Sequence, residues 1–183
     1  REEVKINNGD ESCPLLAGQE SPKSLVNLKA KNKKLFVVGI GASAGGLEAI
    51  ELFFKEMPSD SGLAFIVIQH LSPDYKSLMV ELLSKRTEME VIRAEEGMLV
   101  EPNHVYLIPP KQNLTIFHGK LLLKEQIQRP GINLPIDIFL RSLAEDQGEK
   151  AVAIILSGTG SDGTRGVRAV KELNGLVLVQ DED

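Results

Sequence analysis

The sequence contains no tryptophan, only two tyrosines and six phenylalanines, three histidines and a single cysteine among its 183 residues. With aromatics at 4%, it lacks the set of rings on which nucleic-acid bases would stack, so nucleic acid is not an expected partner. Formal net charge is −5, and apart from "KAKNKK" the basic residues are scattered, which leaves no strong field for nucleic acid or anionic lipid. The lone Cys13 cannot close an intrachain disulfide, which fits a cytoplasmic setting. No apolar run approaches the roughly 20 residues that span a bilayer, and no signal-peptide apolar region opens the chain, so direct membrane insertion is not expected. None of the histidines has a His or Cys neighbour at metal-ligand spacing, and no metal site is expected.

What is present is aliphatic. Hydrophobic residues make up 42% of the chain, enough for one domain with a core, and they occur as short Val, Ile and Leu runs of the kind a parallel sheet buries on both faces. Residues 1–34 are polar, without sustained periodicity, and read as a flexible tail or linker. The chain does not begin with Met and reads as a piece of something longer.

From residue 35 the pattern alternates. "LFVVGI" reads as a buried strand, "GASAGG" as a turn, and Leu47 to Met57 as a helix stopped by Pro58. "LAFIVI" is a second buried strand, followed by an amphipathic helix in "SPDYKSLMVELLSKR" that starts near Ser72 to Asp74. Short strands are expected around Val91, around Val100 and in "HVYLIPP", and "NLTIFHGKLLLKE" pairs two strands across a His118-Gly119 turn. A helix in "LPIDIFLRSLAEDQG", the strand "AVAIIL", the helix "TRGVRAVKELNG" and a last strand "LVLVQ" complete the chain. The expected fold is α/β: a doubly wound, mostly parallel, Rossmann-like three-layer sheet with helices on both faces, plus an antiparallel hairpin.

The stretch "LFVVGIGASAGGLEAI" supports two incompatible readings. Gly39, Gly41 and Ala44 fit a G-x-G-x-x-A dinucleotide fingerprint, whereas Gly41 to Gly45 fits the G-x-S-x-G turn that exposes a nucleophilic serine. The cofactor reading requires an acidic residue at the end of the second strand, about 20 residues on, and that strand ends in Gln69-His70. Under the hydrolase reading, Ser43, His70 and Asp162 each follow a separate parallel strand on one edge of the sheet. They supply a nucleophile, a base to take its proton and an acid to orient the base. Each also has an ordinary structural reading: Ser43 as cap of the first helix, His70 as a satisfied buried histidine, Asp162 as N-cap of the helix that follows it. His104 reads as a packed strand residue and His118 as a turn residue.

The segments "VGIGASAGG", "IQHLSP", "NHVYLIPP", "LPIDIFLRS" and "LSGTGSDGTRG" resemble, in order, those of CheB-type protein-glutamate methylesterase catalytic domains, over about Lys34 to Asp183. The resemblance extends to the versions joined to methyltransferase and sensory domains. It implies Ser43 as nucleophile, His70 as base, Asp162 as orienting acid, and backbone N–H groups near Ala44 and Thr159 as oxyanion donors. The implied reaction is hydrolysis of glutamate γ-methyl esters on the cytoplasmic helices of chemoreceptors or a related signalling protein, with glutamine deamidation in some relatives, and with no cofactor or metal.

Three departures accompany the resemblance. Ala44 stands where the family often has Thr; 34 residues are too few for the phospho-receiver domain of regulated relatives; and the chain ends at "VQDED", before the family's Gly-Met-Pro segment, so the catalytic domain at 35–183 is expected to be truncated. The competing expectation is a catalytically weak sensory or interaction module within a larger signalling protein. Nucleotide binding at the glycine turn is the third.

Overall fold

The computed structural model describes residues 35–42, 45–69, 78–126, 133–156 and 161–181. The expected tail at 1–34 and the start of the second helix near Ser72 to Asp74 lie outside the described residues.

Strand β1 (Val37–Ala42) leads to helix α1 (Leu47–Glu56), then β2 (Ala64–Gln69) and α2 (Met79–Ser84). Strands β3 (Glu90–Arg93) and β4 (His104–Leu107) precede the hairpin of β5 (Gln112–Phe117) and β6 (Lys120–Glu125). Helix α3 (Pro135–Gln147), strand β7 (Ala151–Leu156), helix α4 (Thr164–Glu172) and strand β8 (Leu176–Val179) follow. Six strands form one sheet in the order β3-β4-β2-β1-β7-β8, and every neighbouring pair is parallel. The chain starts at the centre, winds outward through β2 to β4 and β3, then returns to the other side of β1 with β7 and β8. This is the expected doubly wound sheet, with the reversal of direction lying between β1 and β7.

All six residues of β1 and of β2 are buried, which is why their sequences are continuous apolar runs. Alternate side chains enter two cores. Val38, Ile40, Phe65 and Val67 pack with Ile50 and Phe54 of α1 and Met79 and Leu83 of α2. On the opposite face, Ile66, Ile68 and Ala153 pack with Phe139, Leu140 and Leu143 of α3, Val170 of α4, and Leu114, Ile116 and Leu121 of the hairpin. Three of the few aromatics, Phe53, Phe54 and Phe65, meet edge to face with ring centroids 5.2 to 5.9 Å apart.

The hairpin turns at His118-Gly119 as expected, both residues with positive φ, 49° and 71°. Helix α3 anchors it: the Asp146 carboxylate accepts the His118 N–H and the Gly119 N–H (3.0 Å), and Ser142 Oγ accepts the Ile116 N–H (3.1 Å). The expected strand around Val100 does not form. Leu99 makes one isolated bridge to Lys120 and the Val100 N–H donates to the Gly119 carbonyl (2.8 Å), so this segment is a strap along the hairpin.

Candidate active site

The register levels three strand ends. Ala42 pairs with Gln69 on one side and with Leu156 on the other, so β1, β2 and β7 terminate side by side at the carboxyl edge of the sheet, where the winding reverses. In a doubly wound sheet the ligand crevice opens at this place. The residues that follow Ala42 and Gln69 in the chain are Ser43 and His70. Ser43, Ala44, His70 and Thr159 lie outside the described residues; Asp162 lies within them.

Asp162 is a capping residue, but not of its own helix. The N-cap of α4 is Gly163, which makes no side-chain cap bond. The Asp162 carboxylate reaches instead to the start of α3: Oδ2 accepts the Ile136 N–H (3.1 Å) and Oδ1 accepts the Asp137 N–H (2.9 Å). Two N–H groups that have no partner inside α3 are thereby satisfied, and a negative charge sits at the positive end of the helix dipole. Gly163, with φ of 101°, adopts the conformation that lets the chain enter α4 immediately after Asp162.

The first turn of α3 touches β1 as well. A Cβ on Gly41 would lie 2.6 Å from Ile136 Cγ2, and one on Gly39 would lie 2.7 Å from Leu140 Cδ2. The glycines that suggested a dinucleotide fingerprint are therefore occupied in close packing of β1 against α3. The helix after β1 begins at Leu47 with Gly46 at its N-cap, so its capping position falls three residues beyond Ser43. The expectation that Ser43 merely caps that helix is corrected accordingly.

Asp137, which belongs to the family-like segment "LPIDIFLRS" but had no role assigned from the sequence, is one of two buried polar residues among the described residues, the other being Gln69 at the end of β2. Its Oδ1 accepts the Gly166 N–H in the first turn of α4 (2.8 Å). The sequence signal was an acidic residue in the first turn of an apolar-faced helix, which ordinarily reads as a dipole preference. His104 is packed as expected, its ring stacked 6.0 Å from that of Tyr106, with Nδ1–H donating to the Pro102 carbonyl (2.8 Å). Neither it nor His118 follows a strand at the carboxyl edge. Among the described residues, no helix is long and apolar enough to cross a membrane.

Comparison with known proteins converges on one family. A family model described as CheB methylesterase matches residues 38–183. A Xanthomonas oryzae protein named protein-glutamate methylesterase/protein-glutamine glutaminase 2 is 36% identical over 150 residues, covering 80% of this chain and 42% of the relative. A Photorhabdus laumondii protein named for the same two activities is 31% identical over 176 residues, 93% of this chain and 49% of its own length. The chain thus spans less than half the length of these curated relatives. The crystal structure of the Thermotoga maritima CheB methylesterase catalytic domain superposes with a TM-score of 0.72 at 30% identity, covering 81% of this chain and 80% of that domain. The chain belongs to the CheB methylesterase family.

Proposed function

We propose that this domain is a serine hydrolase that removes methyl groups from glutamate γ-methyl esters of chemoreceptors, with Ser43 as nucleophile, His70 as general base and Asp162 as the acid that orients it. The observation that carries the reading is the level termination of β1, β2 and β7 beside the anchored Asp162 carboxylate. Ser43 directly follows β1, His70 directly follows β2, and Asp162 comes six residues after the end of β7; the reading requires the three to converge at that edge. Family membership and the names of the relatives support the same chemistry.

In this mechanism Ser43 Oγ attacks the ester carbonyl carbon while His70 takes its proton. Backbone N–H groups of Ala44 and Thr159 stabilise the oxyanion. As the carbon–oxygen bond breaks, His70 returns the proton to the methoxide, and methanol leaves a glutamyl-serine ester. Water, deprotonated by His70, then releases glutamate and restores Ser43. The same cycle on a glutaminyl side chain releases ammonia in place of methanol, the second activity in the relatives' names. Substrates would be methylated helices of the cytoplasmic part of chemoreceptors or of a related signalling protein, which places the reaction in the cytoplasm. Methyltransferase and sensory domains are the partners to seek in the same polypeptide.

The test is labelling by a fluorophosphonate, located by peptide mapping, beside methanol release from methylated receptor. Labelling at Ser43 that collapses in His70→Ala supports the reading. Unchanged methanol release by Ser43→Ala sinks it, and absence of both labelling and release favours an interaction module.

A further inference from the structure

Helices α3 and α4 are joined by a reciprocal pair of caps. Asp162, just before α4, accepts the first N–H groups of α3 at Ile136 and Asp137; Asp137, in the first turn of α3, accepts the Gly166 N–H of α4 at 2.8 Å. One residue therefore takes part in both halves. The Asp137 backbone donates to Asp162 while its side chain holds the helix that follows Asp162.

We propose that Asp137 is a positioning residue for the Asp162 carboxylate. The inference rests on the reading of Asp162 as the orienting acid, and assigns to a second aspartate the task of fixing where that acid points. Three observations carry it. First, Asp137 is buried, and a carboxylate is rarely buried without a specific partner; here the partner is the backbone of α4. Second, the approach that allows this bond depends on a glycine: a Cβ on Gly166 would lie 2.6 Å from Leu140 Cβ and 3.3 Å from Asp137 Cα, so the two helices meet at backbone distance. Third, only Gly163 separates Asp162 from Thr164, the first residue of α4. A displacement of the first turn of α4 is thus passed directly to Asp162.

The Asp137 carboxylate needs only to accept one N–H, so an amide oxygen can replace it and a methyl group cannot. Asp162 has the different task of presenting a negative charge to a base. Asp137 therefore acts through Asp162, and the two substitutions are coupled rather than additive.

The experiment is the second-order rate of fluorophosphonate labelling at Ser43, followed from acidic to neutral pH, for the unsubstituted chain, D137A, D137N, D162A and D137A/D162A. The probe phosphonylates Ser43 Oγ, fluoride leaves, and the proton passes to the base, so the rate reports the nucleophile and base without a receptor substrate. Expected outcomes are an about tenfold slower rate in D137A, recovery of most of that rate in D137N, and no further loss when D137A is added to D162A. The acid limb of the D137A profile should also move to lower pH, because an imidazolium without an aligned carboxylate gives up its proton more readily. Equal slowing by D137A with and without Asp162, or an unmoved acid limb, overturns the proposal in favour of a purely structural cap. Should D137A fail to fold, D137N decides alone: slowing as deep as that of D162A means the charge, not the acceptor geometry, is what matters, and the proposal falls. Ser43 unlabelled in the unsubstituted chain removes the underlying reading, and the inference with it.

Discussion

Asp162 and Asp137 each hold the helix on which the other depends, through bonds of 2.9 and 2.8 Å that cross between α3 and α4 in opposite directions. The side chain proposed to orient the base is in this way a structural cap, and its removal should have two separable consequences.

Asp162→Ala should cost about 1–2 kcal/mol of stability, the range for loss of a helix cap, since the Ile136 and Asp137 N–H groups lose their acceptor. Esterase activity should fall much further, by about a hundredfold to ten-thousandfold. Urea denaturation and methanol release measured on the same preparation separate the two. A variant with lowered stability and full activity would confine Asp162 to capping.

Gly41→Ala places a methyl group 2.6 Å from Ile136 Cγ2 and 3.0 Å from Ile155 Cδ1, so one or both side chains must shift. A loss of about 1–3 kcal/mol is expected from overpacking. The displaced Ile136 also donates to Asp162, so labelling at Ser43 should slow. Gly45→Ala is the stability control, because a Cβ there meets nothing within 4 Å. Equal denaturation midpoints for both variants would contradict the close packing of β1 on α3.

The hairpin depends on α3 through Asp146. Asp146→Ala removes the acceptor of the His118 and Gly119 N–H groups and should cost about 1–2 kcal/mol. The effect should be local: hydrogen exchange at residues 117–120 accelerates while β1 and β2 keep their protection. Global acceleration would show that the hairpin and the sheet unfold as one unit.

Burial pushes the Tyr106 phenol above its ordinary value of 10.0, with the negative charges of Glu101 and Glu90 adding to the rise and the hydrogen bond from the Glu101 N–H opposing it. The unfolded chain therefore releases this proton first as pH rises. Stability from Tyr106 is complete below pH 10.0 and is lost progressively above it. At neutral pH, Tyr106→Phe should cost about 1 kcal/mol, because the hydroxyl accepts the Glu101 N–H (2.9 Å) and donates to the Leu99 carbonyl (3.3 Å). The gap between the two proteins should narrow above pH 10.0 in denaturation curves; a constant gap would mean that the phenol ionises alike in both states.

Much of this architecture is legible in the residues themselves. Continuous apolar runs such as "LAFIVI" mark strands covered on both faces, and β2 is buried throughout. His118-Gly119 turns the hairpin because those two residues take positive φ more readily than most. Pro58 and Gly148 stop helices for equally local reasons, a missing N–H and a freely adopted positive φ. All of these act within a few residues along the chain.

What the chain alone did not reveal crosses long sequence separations. Asp162 lies directly before a helix, and local rules assign it to that helix; only the packing of α3 against α4 turns it to N–H groups 25 and 26 residues upstream. Gly39 and Gly41 satisfy a fingerprint for phosphate on paper, but Leu140 and Ile136, about a hundred residues on in the sequence, occupy the space that their missing side chains leave. Asp137 lies in the segment "LPIDIFLRS", but what its carboxylate holds is a helix that arrives only after β7. Composition and periodicity therefore determined which segments are strands and helices, because burial and backbone freedom are properties of short stretches. The three-dimensional register decided which strand ends lie level at the carboxyl edge and which helix each aspartate caps, because hydrogen bonds and contacts depend on proximity in space and take no account of distance along the chain.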